Sequence, residues 1–315
     1  MTGEQYGSGA VILKGLGLVE SMAETMKLAI AERRAAGVFL GGRPGVKPDA
    51  AIASAASAPA EWAAPKLAIL RVGGQPDDLS YENSIIKRFA GIGLSTEVFA
   101  YPENISREDF LAGLRKANED AGIQGILVFR PLPAHIGDRE VTEAIDPRKD
   151  VDGISPVNMA KVFAGDPGGF APCTAAAVIA MLDYAGVELK GKRVTVAGRS
   201  LVVGKPLSML LLGRDATVTV CHSKTVDLPG ACREADVLVA CVGKAKLLGA
   251  DHIKPGATVI DVGINMDEEG RFCGDVDSDA AAAIAGAVTP VPGGVGTVTT
   301  SILAQHLLQA AGIML

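Results

Sequence analysis

Four short runs constrain the fold of this 315-residue chain more than any other feature: RVTVAG (193–198), ATVTVC (216–221), ADVLVACVG (235–243) and ATVIDVGI (257–264). They are rich in Val and Ile and nearly continuous in hydrophobicity, the pattern of strands buried on both faces of a parallel sheet. Helical stretches separate them, and strand alternating with helix implies parallel pairing through right-handed crossovers. The same alternation runs earlier in the chain. KLAILRVG (66–73) is followed by a helix over Asp78–Ala90, a strand at STEVFAY (95–101), a helix over Arg107–Asp120, the strand GILVFRPLP (125–133) and a helix from Asp138 toward Ala144. The expected fold is therefore α/β with two domains. The first spans 1–172 and is completed by a C-terminal helix within 298–315; the second, over 173–297, is Rossmann-like with a mostly parallel sheet.

Helices are also expected over Ser21–Ala36, with Gly37 as its stop, over Thr174–Tyr184, and over Thr299–Ala311. The stretch Gly41–Pro65, rich in Gly, Pro, Ala and Ser, reads as a loop with one Ala-rich turn. A formal charge of -6 gives no general attraction to nucleic acid or to anionic lipid. No long charge-free span suits a membrane helix and no secretory signal opens the chain, which points to the cytoplasm. The five cysteines are odd in number and form no CxxC, so reduced thiols are expected rather than a disulfide framework. Four widely spaced histidines in no HExxH or HxH pattern argue against a catalytic zinc, and no metal is expected.

The segment VTVAGRSLVVGKP (194–206) is a strand, a tight polar turn, a glycine and a helix start. Gly198 suits a turn where a side chain would clash, Gly204 permits close backbone approach, and the amides at the helix start can meet a pyrophosphate. The spacing departs from GxGxxG, so turn glycines without a ligand remain the plainer alternative. The next strand ends in CHSKT (221–225), without the acid that a site for NAD commonly places there to accept from ribose hydroxyls. It offers Ser223 and Lys224 instead, with Arg199 on the preceding turn. These groups either donate to a 2'-phosphate, favouring NADP over NAD, or are ordinary surface charges.

In the other domain Tyr81 stands near the start of a helix beyond a strand's carboxyl end, where it lines a ligand cleft or packs in the core with its hydroxyl outward. Asp152, in the charged turn KDVDG (149–153), either pairs locally or accepts two donors from a pterin-like ring. TPVPGGVGTVTT (289–300) is a loop pressed against a ligand or a hinge.

Together these residues resemble the methylenetetrahydrofolate dehydrogenase/cyclohydrolase family. The matches are KDVDG, PCT (172–174), GRSxxVGKP (198–206), CHSKT, DVGIN (261–265), GDVD (274–277) and TPVPGGVG (289–296), in the family's order, with GILVxxPLP (125–133) in the same pattern. The resemblance implies a usually homodimeric enzyme that oxidises 5,10-methylenetetrahydrofolate, with folate between its domains and the cofactor on the second; that cofactor is expected from Arg199 and Ser223 to be NADP, with NAD possible. It implies that Gly198, Arg199, Ser200, Ser223 and Ile264 contact the dinucleotide. Tyr81 and Asp152 would then be the catalytic-site residues beside the folate, joined by Pro292, Gly293 and Gly294.

Three family positions are altered. The usual serine is Asp78, the usual lysine is Ile85, and its glutamine partner is Phe129. The lysine serves the hydrolytic step, so the resemblance implies a dehydrogenase with weak or absent cyclohydrolase activity. The alternatives are the ordinary bifunctional enzyme and a non-catalytic folate-binding or regulatory protein.

Overall fold

The computed structural model describes residues 4–5, 9–36 and 63–315. Gly37 and nearly all of the expected loop Gly41–Pro65 lie outside the described residues. The strands in chain order are β1 (Glu4–Gln5), β2 (Val11–Ile12), β3 (Lys66–Val72), β4 (Ser95–Tyr101), β5 (Gly125–Val128), β6 (Arg193–Ala197), β7 (Thr217–Cys221), β8 (Val237–Ala240), β9 (Thr258–Asp261), β10 (Asn265–Met266), β11 (Phe272–Cys273) and β12 (Ala287–Val288). The chain divides into two compact units. One comprises Met1–Glu20 and Met159–Ile302, the other Ser21–Asn158 and Leu303–Leu315.

The unit of residues 21–158 and 303–315 is built on a three-stranded parallel sheet in the order β4-β3-β5. Alternation along β3 sends Ala68 and Leu70 to one face, where they join Phe110, Leu114, Ile126 and Val128 in a buried cluster. The opposite face carries Leu67, Ile69 and Arg71. The helix Pro76–Ile92 starts on a proline with Asp77 and Asp78 in its first turn, and ends at Gly93 in the left-handed region (φ 86°). Its buried stripe, Glu82, Ile85, Phe89 and Ile92, has helical spacing. The helix Arg107–Glu119 is capped by Ser106, whose side chain accepts from the Asp109 amide. Helices also form over Asp138–Ala144 and, unanticipated from the sequence, over Pro156–Ala164.

The other unit holds a seven-stranded sheet in the order β1-β2-β12-β9-β8-β6-β7, parallel from β2 to β7 with β1 antiparallel at the edge. Two sequence expectations change here. The ATVTVC strand is not buried on both faces: β7 is the last strand of its sheet, and Thr217, Thr219 and Val220 are exposed. The expected boundary at 172 also shifts, since residues 1–20 and 159–172 group with this unit. For residues 1–20 the reason is β2, whose Val11 and Ile12 pair in parallel with Ala287 and Val288. A two-residue strand is too short for hydrophobic periodicity to reveal. None of the five cysteines, all among the described residues, forms a disulfide, and four of them are buried.

The expected C-terminal helix forms over Thr299–Ala310. Leu307 from its last turns packs against Gly125 at the start of β5; a β-carbon on Gly125 would lie 2.7 Å from Leu307 Cδ1 and 2.9 Å from Val151 Cγ1. Gly125→Ala should therefore destabilise the protein by about 1–3 kcal/mol through overpacking, lowering the urea midpoint. An unchanged midpoint would show that Leu307 and Val151 yield at no cost.

Candidate active site

In the seven-stranded sheet the residues expected to meet a dinucleotide gather at one edge. Gly198 follows β6, Ser223 lies two residues beyond β7, and Ile264 three residues beyond β9, all past the carboxyl ends of parallel strands. This is where open α/β sheets bind ligands. Pro292, Gly293 and Gly294 follow β12 at the same edge, with the Val291–Pro292 peptide in cis. Gly198 has φ 139°, and a β-carbon there would lie 2.2 Å from the Cys241 carbonyl oxygen. A β-carbon on Gly204 would lie 2.2 Å from the Gly198 carbonyl oxygen. The two glycines thus close a turn with no room for side chains. Within it Ser200 Oγ accepts from the Val203 amide at 3.1 Å, and Arg199 and Ser223 are exposed. The turn leads into the helix Gly204–Leu212.

Two buried aspartates hold the neighbouring loops, a role the motifs DVGIN and GDVD did not disclose. Asp261 accepts from the amides of Gly263, Asp275 and Val276 at 2.9, 3.0 and 2.9 Å. Asp275 accepts from Val242, Gly243 and Lys244 at 2.6, 3.0 and 2.9 Å, and from Asn265 Nδ2 at 3.0 Å. Burial pushes the Asp261 carboxyl up to about 6 even against its three amide donors. The segment carrying Ile264 is thereby pinned on both sides.

In the three-stranded unit, Tyr81 and Phe129 are brought together with ring centroids 5.6 Å apart and tilted by 37°. Tyr81 remains 40% exposed, whereas Ile85 is completely buried. Ile85 therefore belongs to the core stripe of its helix and Tyr81 to the margin. Phe129 is buried and Asp78 is half-buried in the first turn. Lys87 is exposed.

Asp152 is half-buried. Its neighbour Asp150 builds the turn that presents it. Asp150 is fully buried and accepts from the amides of Ile154 and Ser155 at 2.9 and 2.8 Å and from Asn158 Nδ2 at 2.8 Å. Lys149 donates to the carbonyls of Ala117 and Asp120, and its ammonium is pushed down by burial. From the C-terminal helix, His306 Nδ1 lies 2.8 Å from the Val151 carbonyl oxygen, which requires a proton on that nitrogen. Among the described residues, no three His, Cys, Asp or Glu side chains gather as a metal ion would need.

A family model for the catalytic domain of tetrahydrofolate dehydrogenase/cyclohydrolase matches residues 46–152, and one for its NAD(P)-binding domain matches residues 172–314. The bifunctional protein FolD of Clostridioides difficile is 54% identical over 246 residues, 78% of this chain and 86% of that protein. The crystal structure of the bifunctional FolD methylenetetrahydrofolate dehydrogenase/cyclohydrolase from Campylobacter jejuni has a TM-score of 0.86 at 33% identity, covering 96% of this chain and 99% of that one. The Trypanosoma brucei dehydrogenase-cyclohydrolase, solved with NADP cofactor and inhibitor, has a TM-score of 0.82 at 32% identity over 96% of this chain and 97% of its own.

This chain belongs to the tetrahydrofolate dehydrogenase/cyclohydrolase family. Beside Tyr81 in sequence lies a buried ion pair, in which Arg71 Nε donates to Glu82 Oε2 at 2.8 Å. Sequence reasoning passed over this pair. The available signal was a charge in each of two otherwise apolar rows.

His306 links this unit to pH. Burial lowers its imidazole below the ordinary 6.5, outweighing the Val151 carbonyl and Asp150. The unfolded chain then binds a proton at His306 that the native chain resists. Its contribution to stability is complete above about pH 6.5 and is lost as pH falls from there toward the native value. His306→Gln should lose less stability than the parent between about pH 7 and pH 5, measured by urea unfolding. Parallel losses in the two proteins would remove His306 from this role.

Proposed function

We propose that this chain is an NADP-linked 5,10-methylenetetrahydrofolate dehydrogenase that also hydrolyses the methenyl product. This is the bifunctional alternative, and it displaces the dehydrogenase-only reading that the substitutions at 85 and 129 first suggested. Relatives about half identical to this chain over most of their length carry the bifunctional name. One observation carries the dehydrogenase half: Gly198, Ser223 and Ile264 stand together past the carboxyl ends of one parallel sheet, around a glycine cradle that β-carbons would fill. Bound NADP supplies the hydride acceptor.

On this reading Gly198, Arg199 and Ser200 receive the phosphates, with Arg199 and Ser223 donating to the 2'-phosphate and Ile264 packing beside the dinucleotide. Tyr81 lies against the folate, and Asp152 accepts from the donors of its pterin end. The lone pairs of N5 and N10 expel hydride from the bridging methylene. The protein's task in that step is therefore positioning, which needs no lysine. The same reading takes the active form as a homodimer, with β7 as an available edge; sedimentation at the mass of a single chain would exclude it.

A second reading, dehydrogenase alone, is favoured by one specific observation: the positions of the family lysine and glutamine are a fully buried Ile85 and a buried Phe129.

Two measurements decide. Arg199→Ala should lower catalytic efficiency with NADP by about tenfold or more while sparing efficiency with NAD, because a charge-assisted phosphate contact is lost. Equal losses with both, or a parent that prefers NAD, would sink the cofactor assignment. Methenyltetrahydrofolate hydrolysis by the parent, corrected for the uncatalysed rate, should be clearly enzymatic. A rate no faster than the uncatalysed one would establish the dehydrogenase-only reading.

A further inference from the structure

Two apolar rows in the three-stranded unit each end in a charge. Along β3, Leu67 and Ile69 are followed on the same face by Arg71. Along the helix Pro76–Ile92 the buried stripe runs back from Ile92 through Phe89 and Ile85 to Glu82. The rows end at one place, where Arg71 Nε meets Glu82 Oε2 at 2.8 Å with side chains only 10% and 12% exposed. Arg71 also donates through Nη1 to the Gly73 carbonyl, tying the pair to the turn that closes β3.

Stability does not account for this arrangement, because a packed apolar pair of similar volume serves a core as well as a buried ion pair or better. Location does. The pair lies at the carboxyl end of β3 and Glu82 follows Tyr81 in sequence, while positions 85 and 129, where the resemblance placed a lysine and a glutamine, are apolar.

We propose that Glu82, held by Arg71, takes the proton of the attacking water when the methenyl substrate is hydrolysed; this rests on the bifunctional reading above. The guanidinium fixes the position of the carboxylate, and a carboxylate engaged by one donor retains acceptor capacity for a water. The water oxygen bonds to the cationic carbon between N5 and N10, whose C=N π electrons pass to nitrogen, and one water proton goes to Glu82. The carbon–N5 bond then breaks. N5 keeps the bonding pair and receives the proton from Glu82, the remaining hydroxyl proton leaves to solvent, and the carbon becomes a formyl group on N10. Water is consumed, one proton is released and Glu82 is regenerated.

Hydride transfer moves no proton at this site, so the two activities respond differently to loss of a proton acceptor. That difference distinguishes the role from a structural one. The experiment compares the parent, Glu82→Gln, Asp78→Asn (the half-buried one of the two other carboxylates in this helix's first two turns) and the apolar double variant Arg71→Leu/Glu82→Val. In each, methenyl hydrolysis, methylene dehydrogenation and thermal unfolding are measured. Glu82→Gln should lower the hydrolytic kcat by about 100-fold or more, with a much smaller loss of dehydrogenation. The double variant should repeat that split at a melting temperature close to the parent's, and it decides the matter if Glu82→Gln folds poorly. Hydrolysis that survives in both variants overturns the proposal and leaves the bifunctional reading intact. Parallel loss of both activities in a folded double variant overturns it as well, as does a hydrolytic defect confined to Asp78→Asn. A parent without enzymatic hydrolysis removes the bifunctional reading, and this proposal with it.

Discussion

Backbone amides that leave a parallel sheet at its carboxyl edge must find acceptors, and in this chain buried aspartates provide many of them. Asp261 and Asp275 between them accept from six amides around β8 and β9, and Asp150 accepts from two beside β5. A carboxylate offers about four lone-pair sites on two oxygens, so one side chain can anchor a whole turn. This dictates where flexible chain becomes fixed chain. The segments so fixed carry Ile264 in one unit and Asp152 in the other.

Burying these carboxylates is unfavourable unless every oxygen is well used. Asp261 shows the balance, since burial raises its pKa to about 6 while three amides pull it the other way. The motif letters of DVGIN, GDVD and KDVDG thus have two different meanings. Asp150, Asp261 and Asp275 are buried scaffolding, whereas Asp152 and Asp277 are half-buried. A motif match does not separate those uses, because both call for the same residue type.

The polar core near Tyr81 follows a different rule. Where the family resemblance places a lysine and a glutamine, this chain has Ile85 in the core stripe and Phe129 in a tilted ring contact with Tyr81. Replacing both members of a hydrogen-bonded pair avoids leaving either one buried and unsatisfied. The charge at this end of the sheet is then supplied by Arg71 and Glu82, which contact each other although they are on different elements.

Much of this was already legible in the amino-acid sequence. Valine-rich runs separated by helical stretches require a parallel α/β fold, because that hydrophobicity can be buried only between helices. The tight turn from Gly198 to Gly204 was legible too, since only glycine tolerates the backbone approach found there. Three things came only with tertiary structure. β2 joins its sheet through two residues, too few to carry a period. β7 is exposed because strand order, which no local pattern encodes, leaves it at an edge. Arg71 and Glu82 looked like ordinary charges, eleven residues apart, until strand and helix brought their rows together at 2.8 Å. Periodicity assigns a residue to a face of its own element. Which residue it meets there depends on how the elements pack, and that is a property of the folded chain alone.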